Sequence, residues 1–374
     1  MMNYLFILGR NLELSIAEIR AFFEDSNPLI NFSIVKNGML ASFEKEIDKE
    51  CINNLGGTIA IGEVVSSGNI DKILKCLDKT EVYTGSKKNF NYVIWNFSFK
   101  EDYDIIENYL KKRFKFEKFK PTRKNLSGVL SMQSGKMIAI PHSLTDEEFF
   151  ILSSGNENFF GKIISKTNYS EIEKRDMQKP VRREKLAISP RLAKIMINIS
   201  KAKEKGKLVD PFCGVGVILQ EALLLNKKVI GIDKDSSALE SARQNLQWGK
   251  FNPRDFELIN EDSSRVRISG ADVIVTEPEL GVVLKAPPSK EIAEKILFKY
   301  ENLMIAVLNN LKKNIKGRIV FTAPFIRIKG KEMKGCNAGK ITSKTGLRLT
   351  KGFPIDEFRE KQTVGRQIFV MERK

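Results

Sequence analysis

Asp210-Pro-Phe-Cys-Gly-Val-Gly216 places a carboxylate at the end of a short apolar strand and two glycines in the turn that follows, and Asp233 closes the next apolar strand 23 residues later. Residues 207–235 therefore read as strand, glycine turn, helix, strand, acid, a layout that binds the adenosine half of a cofactor. Gly214 and Gly216 let the backbone pass beneath a ligand with no Cβ in the way. Asp233 falls where a βαβ unit delivers an acceptor to two ribose hydroxyls. Asp210 discriminates among cofactors. A dinucleotide fold holds pyrophosphate on bare amides at a helix N-terminus, and a carboxylate there would repel it. A ligand with an ammonium, a sulfonium and no phosphate suits the acid, so the expected cofactor is S-adenosylmethionine, held by Asp210, Pro211, Phe212, Cys213, Gly214, Gly216 and Asp233. The bland alternative is a βαβ unit whose glycines only make a tight turn.

The second constellation is Glu277 and Pro278. Strand ADVIVT empties into EPELG, residues 277–281, at the sheet edge where a ligand loop belongs. Methylating an exocyclic amine requires its lone pair to be freed from the ring, and acceptors for its two N–H bonds do this while aiming the nitrogen at the methyl. Glu277 offers a carboxylate, and Pro278 stiffens the loop so that a backbone carbonyl can be the second acceptor. The same residues also fit a surface turn carrying two glutamates. A single histidine, His142, argues against histidine-based metal or acid–base chemistry, and four scattered cysteines without a C-x-x-C pair indicate a reducing compartment and no structural zinc.

The elements that must position these groups form an α/β chain. Residues 1–65 read as a small unit with ferredoxin-like rhythm, residues 66–165 as a second α+β segment, 166–187 as a polar linker, and 188–374 as strands alternating with helices, which implies a mostly parallel sheet. Ser189 and Pro190 open a helix as N-cap and first position. No run approaches the length of a membrane span. The net charge of +17 persists despite 46 acidic residues and points to a polyanionic partner. Residues 111–124, KKRFKFEKFKPTRK, concentrate it. Lysines alternating with Phe114, Phe116 and Phe119 on a strand would put cations outward and rings into the core. Lys111, Lys112, Arg113 and Lys115, with Arg182 and Arg183 of the linker, are the expected phosphate contacts, forming one electropositive face. The basic excursion at 326–353 fits either a substrate-facing flap or a solvated hairpin.

The chain resembles the THUMP-containing class I RNA methyltransferases, and within them the tRNA guanine-10 N2-methyltransferases. The resemblance rests on YLFILGRNLELSIAEI, LGGTIAIGEV, RDMQKPVRREKLAISPRLAKIMINIS, DPFCGVG, VTEPELG and VGRQIFVMER. It implies a ferredoxin-like domain, a THUMP domain that holds tRNA and a Rossmann-like methyltransferase domain, acting in the cytoplasm as a monomer, alone or with a small activator subunit, without structural metal or membrane. It also implies that Asp262 reads the adenine amino group. The family loop TDPPYG is TEPELG here, with an acid one methylene longer, Glu279 for the second proline and Leu280 for the base-stacking tyrosine; Phe325 is a candidate substitute ring. A DNA amino-methyltransferase and an RNA-binding relative without efficient chemistry are the competing expectations.

Overall fold

Period-two alternation of apolar residues builds the N-terminal half as a sheet with two buried faces. The computed structural model describes residues 1–374 except 127, 133–136, 141–144, 183–187, 282, 283, 285, 331, 360, 361 and 374, so His142 and Arg183 lie outside the described residues. The chain divides into two compact units, Met1–Ile16, Phe23–Asn53 and Gly57–Thr167 in one, and Ala17–Phe22, Asn54–Gly56 and Asn168–Lys374 in the other.

The elements up to residue 166 are β1 (Met2–Leu8), α1 (Leu12–Phe23), β2 (Asn31–Val35), β3 (Gly38–Phe43), β4 (Thr58–Gly68), α2 (Ile70–Leu77), β5 (Asn91–Phe97), α3 (Lys100–Phe116), β6 (Thr122–Arg123), β7 (Gly128–Ser131), β8 (Met137–Ile140), β9 (Glu147–Ser154) and β10 (Glu157–Lys166). Eight strands make one sheet in the order β2-β3-β1-β4-β10-β9-β5-β6. The eleven-residue β4 pairs antiparallel with both β1 and β10, so the expected boundary at residue 65 falls inside a strand and the sheet runs across it. Gly62 does not break β4, because it packs where a Cβ would meet the Phe150 ring at 2.6 Å. On one face Tyr92 and Ile94 of β5 and Phe149 and Ile151 of β9 pack with Ile73, Leu77, Ile106, Leu110 and Phe114 of α2 and α3. On the other, Val93, Trp95, Phe97, Phe150 and Leu152 meet Leu5 and Ile7.

The basic run differs from its strand reading. Lys111 to Phe116 are the last turns of α3, where cations complement the helix C-terminus. Phe114 is fully buried and Phe119 packs against the same core, but Phe116 is 85% exposed.

The second half runs α4 (Tyr169–Met177), α5 (Pro190–Ile199), β11 (Lys207–Asp210), α6 (Val217–Leu224), β12 (Lys228–Asp233), α7 (Ser236–Trp248), β13 (Phe256–Asn260), β14 (Val273–Thr276), α8 (Lys290–Leu311), β15 (Ile319–Arg327), β16 (Met333–Lys334), α9 (Ala338–Thr345), β17 (Arg348–Leu349), β18 (Ile355–Glu357) and β19 (Val364–Glu372). Its sheet has the order β13-β12-β11-β14-β15-β19-β17, with β16 on β15 and β18 on β19. β13 to β15 are parallel, and β19 is antiparallel to β15. Ser189 caps α5 by accepting from the Leu192 N–H.

Two segments are more ordered than their composition suggests. The expected linker contains α4, which buries no residue and so shows no apolar stripe; it is pinned by Arg175, whose Nε lies 2.8 Å from the Glu221 carboxylate on α6. The basic excursion opens as a short hairpin, β16 pairing antiparallel with β15, and continues as a packed element: α9 buries Ile341 in the core shared with α8, and Lys340 pairs with Glu301 at 2.8 Å.

Candidate functional site

Three parallel strands end in acids. β11 delivers Asp210, β12 delivers Asp233, and the chain leaving β14 delivers Glu277. Asp210 is 1% exposed, and its Oδ1 accepts from the Thr276 hydroxyl at 2.6 Å and the Phe212 N–H at 3.1 Å. Burial pushes its carboxyl up to about 7, against those two hydrogen bonds, and the Asp233 and Glu277 carboxylates push the same way. Asp233 takes the Gly214 N–H on Oδ2 at 2.9 Å and the Asp235 N–H on Oδ1 at 3.0 Å, which closes the glycine turn onto β12. Each of its oxygens keeps a second acceptor position for a hydroxyl.

The turn is built for a close ligand. Gly214 has φ 50° and no heavy atom within 4 Å of the position a Cβ would take, whereas Gly216, at φ 85°, is packed on α7 with Ala242 Cβ at 3.2 Å. Pro211 and Cys213 are buried and Phe212 is half-buried against the core. Burial drives the Cys213 thiol up, so it is no nucleophile. Asp262 ends the β13 turn with Oδ1 taking the Ser264 N–H and hydroxyl, both at 2.8 Å, and the backbone bond holds its carboxyl below the ordinary range. The neighbouring Ser263 hydroxyl donates to the Pro211 carbonyl, which ties the Asp262 turn to the glycine turn. Asn245 of α7 supplies a further tie, donating to the Val181 and Val215 carbonyls at 3.0 and 2.9 Å and accepting from the Val181 N–H.

Glu277 is engaged rather than open. Arg366 of β19 grips it with Nε on Oε1 at 2.6 Å and Nη2 on Oε2 at 3.1 Å, and the Thr322 hydroxyl of β15 adds a bond to Oε1 at 3.2 Å. Pro278 is buried, Glu279 is exposed, and Leu280 is 3% exposed in the core, where it meets the α8 layer. Buried Tyr300 of α8 donates to the Thr322 carbonyl. Sequence reading missed Arg366, Thr322 and Tyr300. Phe325 lies edge-on to Phe358 with centroids 6.3 Å apart.

The expected phosphate contacts divide. Lys112 and Lys115 are exposed with no carboxylate partner among the described residues, and Arg182 is exposed. Lys111 pairs with Glu107 at 2.6 Å, and Arg113 is engaged within its own unit by Glu117 and the Leu77 carbonyl. The two basic segments belong to different units. No helix among the described residues is long and apolar enough to cross a membrane, and those residues hold no cluster of metal-binding side chains.

A family model described as an RMKL-like methyltransferase domain matches residues 179–324, which hold the glycine turn, all three acids and the Glu277 loop. Residues 179–324 are similar to that methyltransferase domain. A DNA methylase model matches 65–244; it crosses the boundary between units and stops before β14, so it omits the Glu277 loop. Among curated relatives, the chain is 37% identical over 139 residues to a tRNA (guanine(10)-N2)-dimethyltransferase of Methanothermobacter thermautotrophicus, covering 37% of this chain and 39% of that protein. It is 34% identical over 115 residues to the protein of that name from Methanocaldococcus jannaschii, covering 29% and 32%. The matches thus span less than half of those relatives' length. TrmN from Thermus thermophilus aligns over 100% of both chains at TM-score 0.55 and 14% identity. A predicted N6-adenine-specific DNA methylase from Listeria monocytogenes aligns over 100% of this chain and 96% of its own at 0.52 and 12%; both show the shared fold.

The cofactor of the methyltransferase domain is S-adenosylmethionine, and its residues fit it. Asp210 is a buried carboxyl without a cation among the described residues, and the open side of Gly214 leaves space beside it. Asp233 accepts from the Gly214 N–H beside that space, and the Asp262 turn is tied to the same loop through Ser263 and the Pro211 carbonyl.

Proposed function

We propose that the chain is an S-adenosylmethionine-dependent tRNA methyltransferase that methylates the exocyclic N2 amine of a guanosine, position 10, in the cytoplasm. The observation that carries this is the chain Asp210–Thr276–Glu277. The acid facing the cofactor turn and the acid facing the amine site stand at adjacent strand ends, with Asp210 bonded to the hydroxyl of Thr276, the residue that precedes Glu277. Asp210 would hold the ammonium of the cofactor, Asp233 the ribose hydroxyls, and Asp262 the adenine amine. When bound, the cofactor supplies a methyl group on a cationic sulfur. Glu277 and the Pro278 carbonyl accept the amine's N–H bonds and so make its lone pair available. Cys213, buried and held as a thiol, supports direct transfer without a covalent intermediate.

Under this reading the strands to residue 65 serve as the ferredoxin-like part and residues 66–165 as the THUMP part of one sheet that holds tRNA, with Lys112 and Lys115 on phosphates. Glu277→Gln keeps the shape of the acid but removes its charge. Turnover is expected to fall by about 10²-fold or more, with affinity for S-adenosylhomocysteine, measured by calorimetry, within a few-fold of wild type. Loss of that affinity would place Glu277 in the cofactor site and contradict its assigned role.

A further inference from the structure

The Glu277 carboxylate has about four acceptor positions. Among the described residues three are taken: Oε1 by Arg366 Nε and the Thr322 hydroxyl, Oε2 by Arg366 Nη2. One position, on Oε2, is left for a substrate amine. The direction of that position is set by the plane of the guanidinium, because a two-point fork fixes both the carboxylate's place and its rotation. Arg366 sits on β19 opposite Pro324 of β15, two residues beyond Thr322. The Glu277 side chain therefore reaches from the end of β14 to the adjacent β15 and to β19 beyond it, and the longer acid supplies the reach to do so. The pair is deeply placed, with side-chain exposures of 14% for Arg366 and 7% for Glu277.

Stability alone is a weak reason for such a pair, since desolvating two charges offsets most of their attraction. Its position is informative instead. Glu277 follows Thr276, the residue bonded to Asp210, so the guanidinium holds the residue next to the Thr276–Asp210 contact. We propose that Arg366 is the positioning residue of the methyl-accepting corner, aiming the single remaining Oε2 lone pair at one N–H of the substrate amine and leaving the other N–H to the Pro278 carbonyl. The inference rests on the methyltransferase reading above.

Arg366→Lys keeps the charge but loses the fork, since an ammonium is a point donor. Glu277→Asp removes the methylene that lets the carboxylate meet both donors. Arg318→Lys is the control: Arg318 makes a 2.7 Å ion pair with Glu372 between β15 and β19 at the other end of the same strands. The measurement is steady-state methyl transfer to unmodified tRNA transcripts, with melting temperature and calorimetric S-adenosylhomocysteine affinity recorded for each variant. Arg366→Lys and Glu277→Asp are each expected to lower kcat by about 10²-fold, the loss a small misplacement produces, with KM for tRNA and S-adenosylhomocysteine affinity within twofold. Arg318→Lys should lower the melting temperature comparably and leave kcat unchanged. Wild-type kcat in either site variant overturns the inference, as does a kcat loss that tracks melting temperature across all three. Absence of transfer by the wild-type chain overturns the methyltransferase reading itself, a result distinguishable from the others.

Discussion

Asp210 carries the most pH-sensitive chemistry of the site. Its carboxyl is raised from 3.8 to about 7 by burial, so the unliganded protein holds a proton there that the unfolded chain has released. The stability this group contributes is fully present below pH 3.8 and is lost as pH rises through about 7. A cationic ligand reverses the balance, because it favours the ionised form. Affinity for S-adenosylmethionine should therefore fall by up to about tenfold per pH unit below the raised value, with proton release on binding at pH 6 seen as a buffer-dependent calorimetric enthalpy. Asp210→Asn should abolish both the proton release and most of the affinity. An unchanged, pH-independent affinity in that variant would show that Asp210 does not face the cofactor.

At the scale of elements, the last turn of α3 separates two roles that composition merges. Lys112→Glu with Lys115→Glu should weaken tRNA binding and flatten the log–log salt dependence by about two counterions. Arg113→Ala should leave that slope unchanged and destabilise the fold by about 1 kcal/mol, since it removes one of two donors to the Leu77 carbonyl and the guanidinium paired with Glu117. Equal effects on the salt slope would return Arg113 to the phosphate surface. The contrast shows what sequence makes legible. The glycine turn, the Ser189 cap and the alternation from β11 to β19 are written in local pattern, and the structure has them. The strand ending at residue 68 and the helix at Tyr169–Met177 are not, because β4 is defined by partners on both sides and α4 by one ion pair to Glu221. Arg366 was illegible for the same reason: its partner stands 89 residues away, and only sheet order brings β14, β15 and β19 together. Asn245 is a similar long-range tie, and Asn245→Ala should lower cofactor affinity by loosening the glycine turn at the Val215 carbonyl, measurable as a weaker S-adenosylhomocysteine isotherm at unchanged pH response.

For the whole molecule, a net charge of +17 accompanies a match to a methyltransferase-domain model over residues 179–324, and an excess of cations of that size favours a polyanionic partner. Identity to the archaeal relatives covers under half of either chain, so the substrate has to be read from the product. The most direct measurement is transfer of labelled methyl from S-adenosylmethionine to unmodified tRNA transcripts, followed by mass spectrometry of the released nucleosides. The account predicts N2-methylated guanosine at position 10, and no product from a transcript carrying adenosine there. Methylation of another base, or binding of both tRNA and cofactor with no transfer at all, would contradict it.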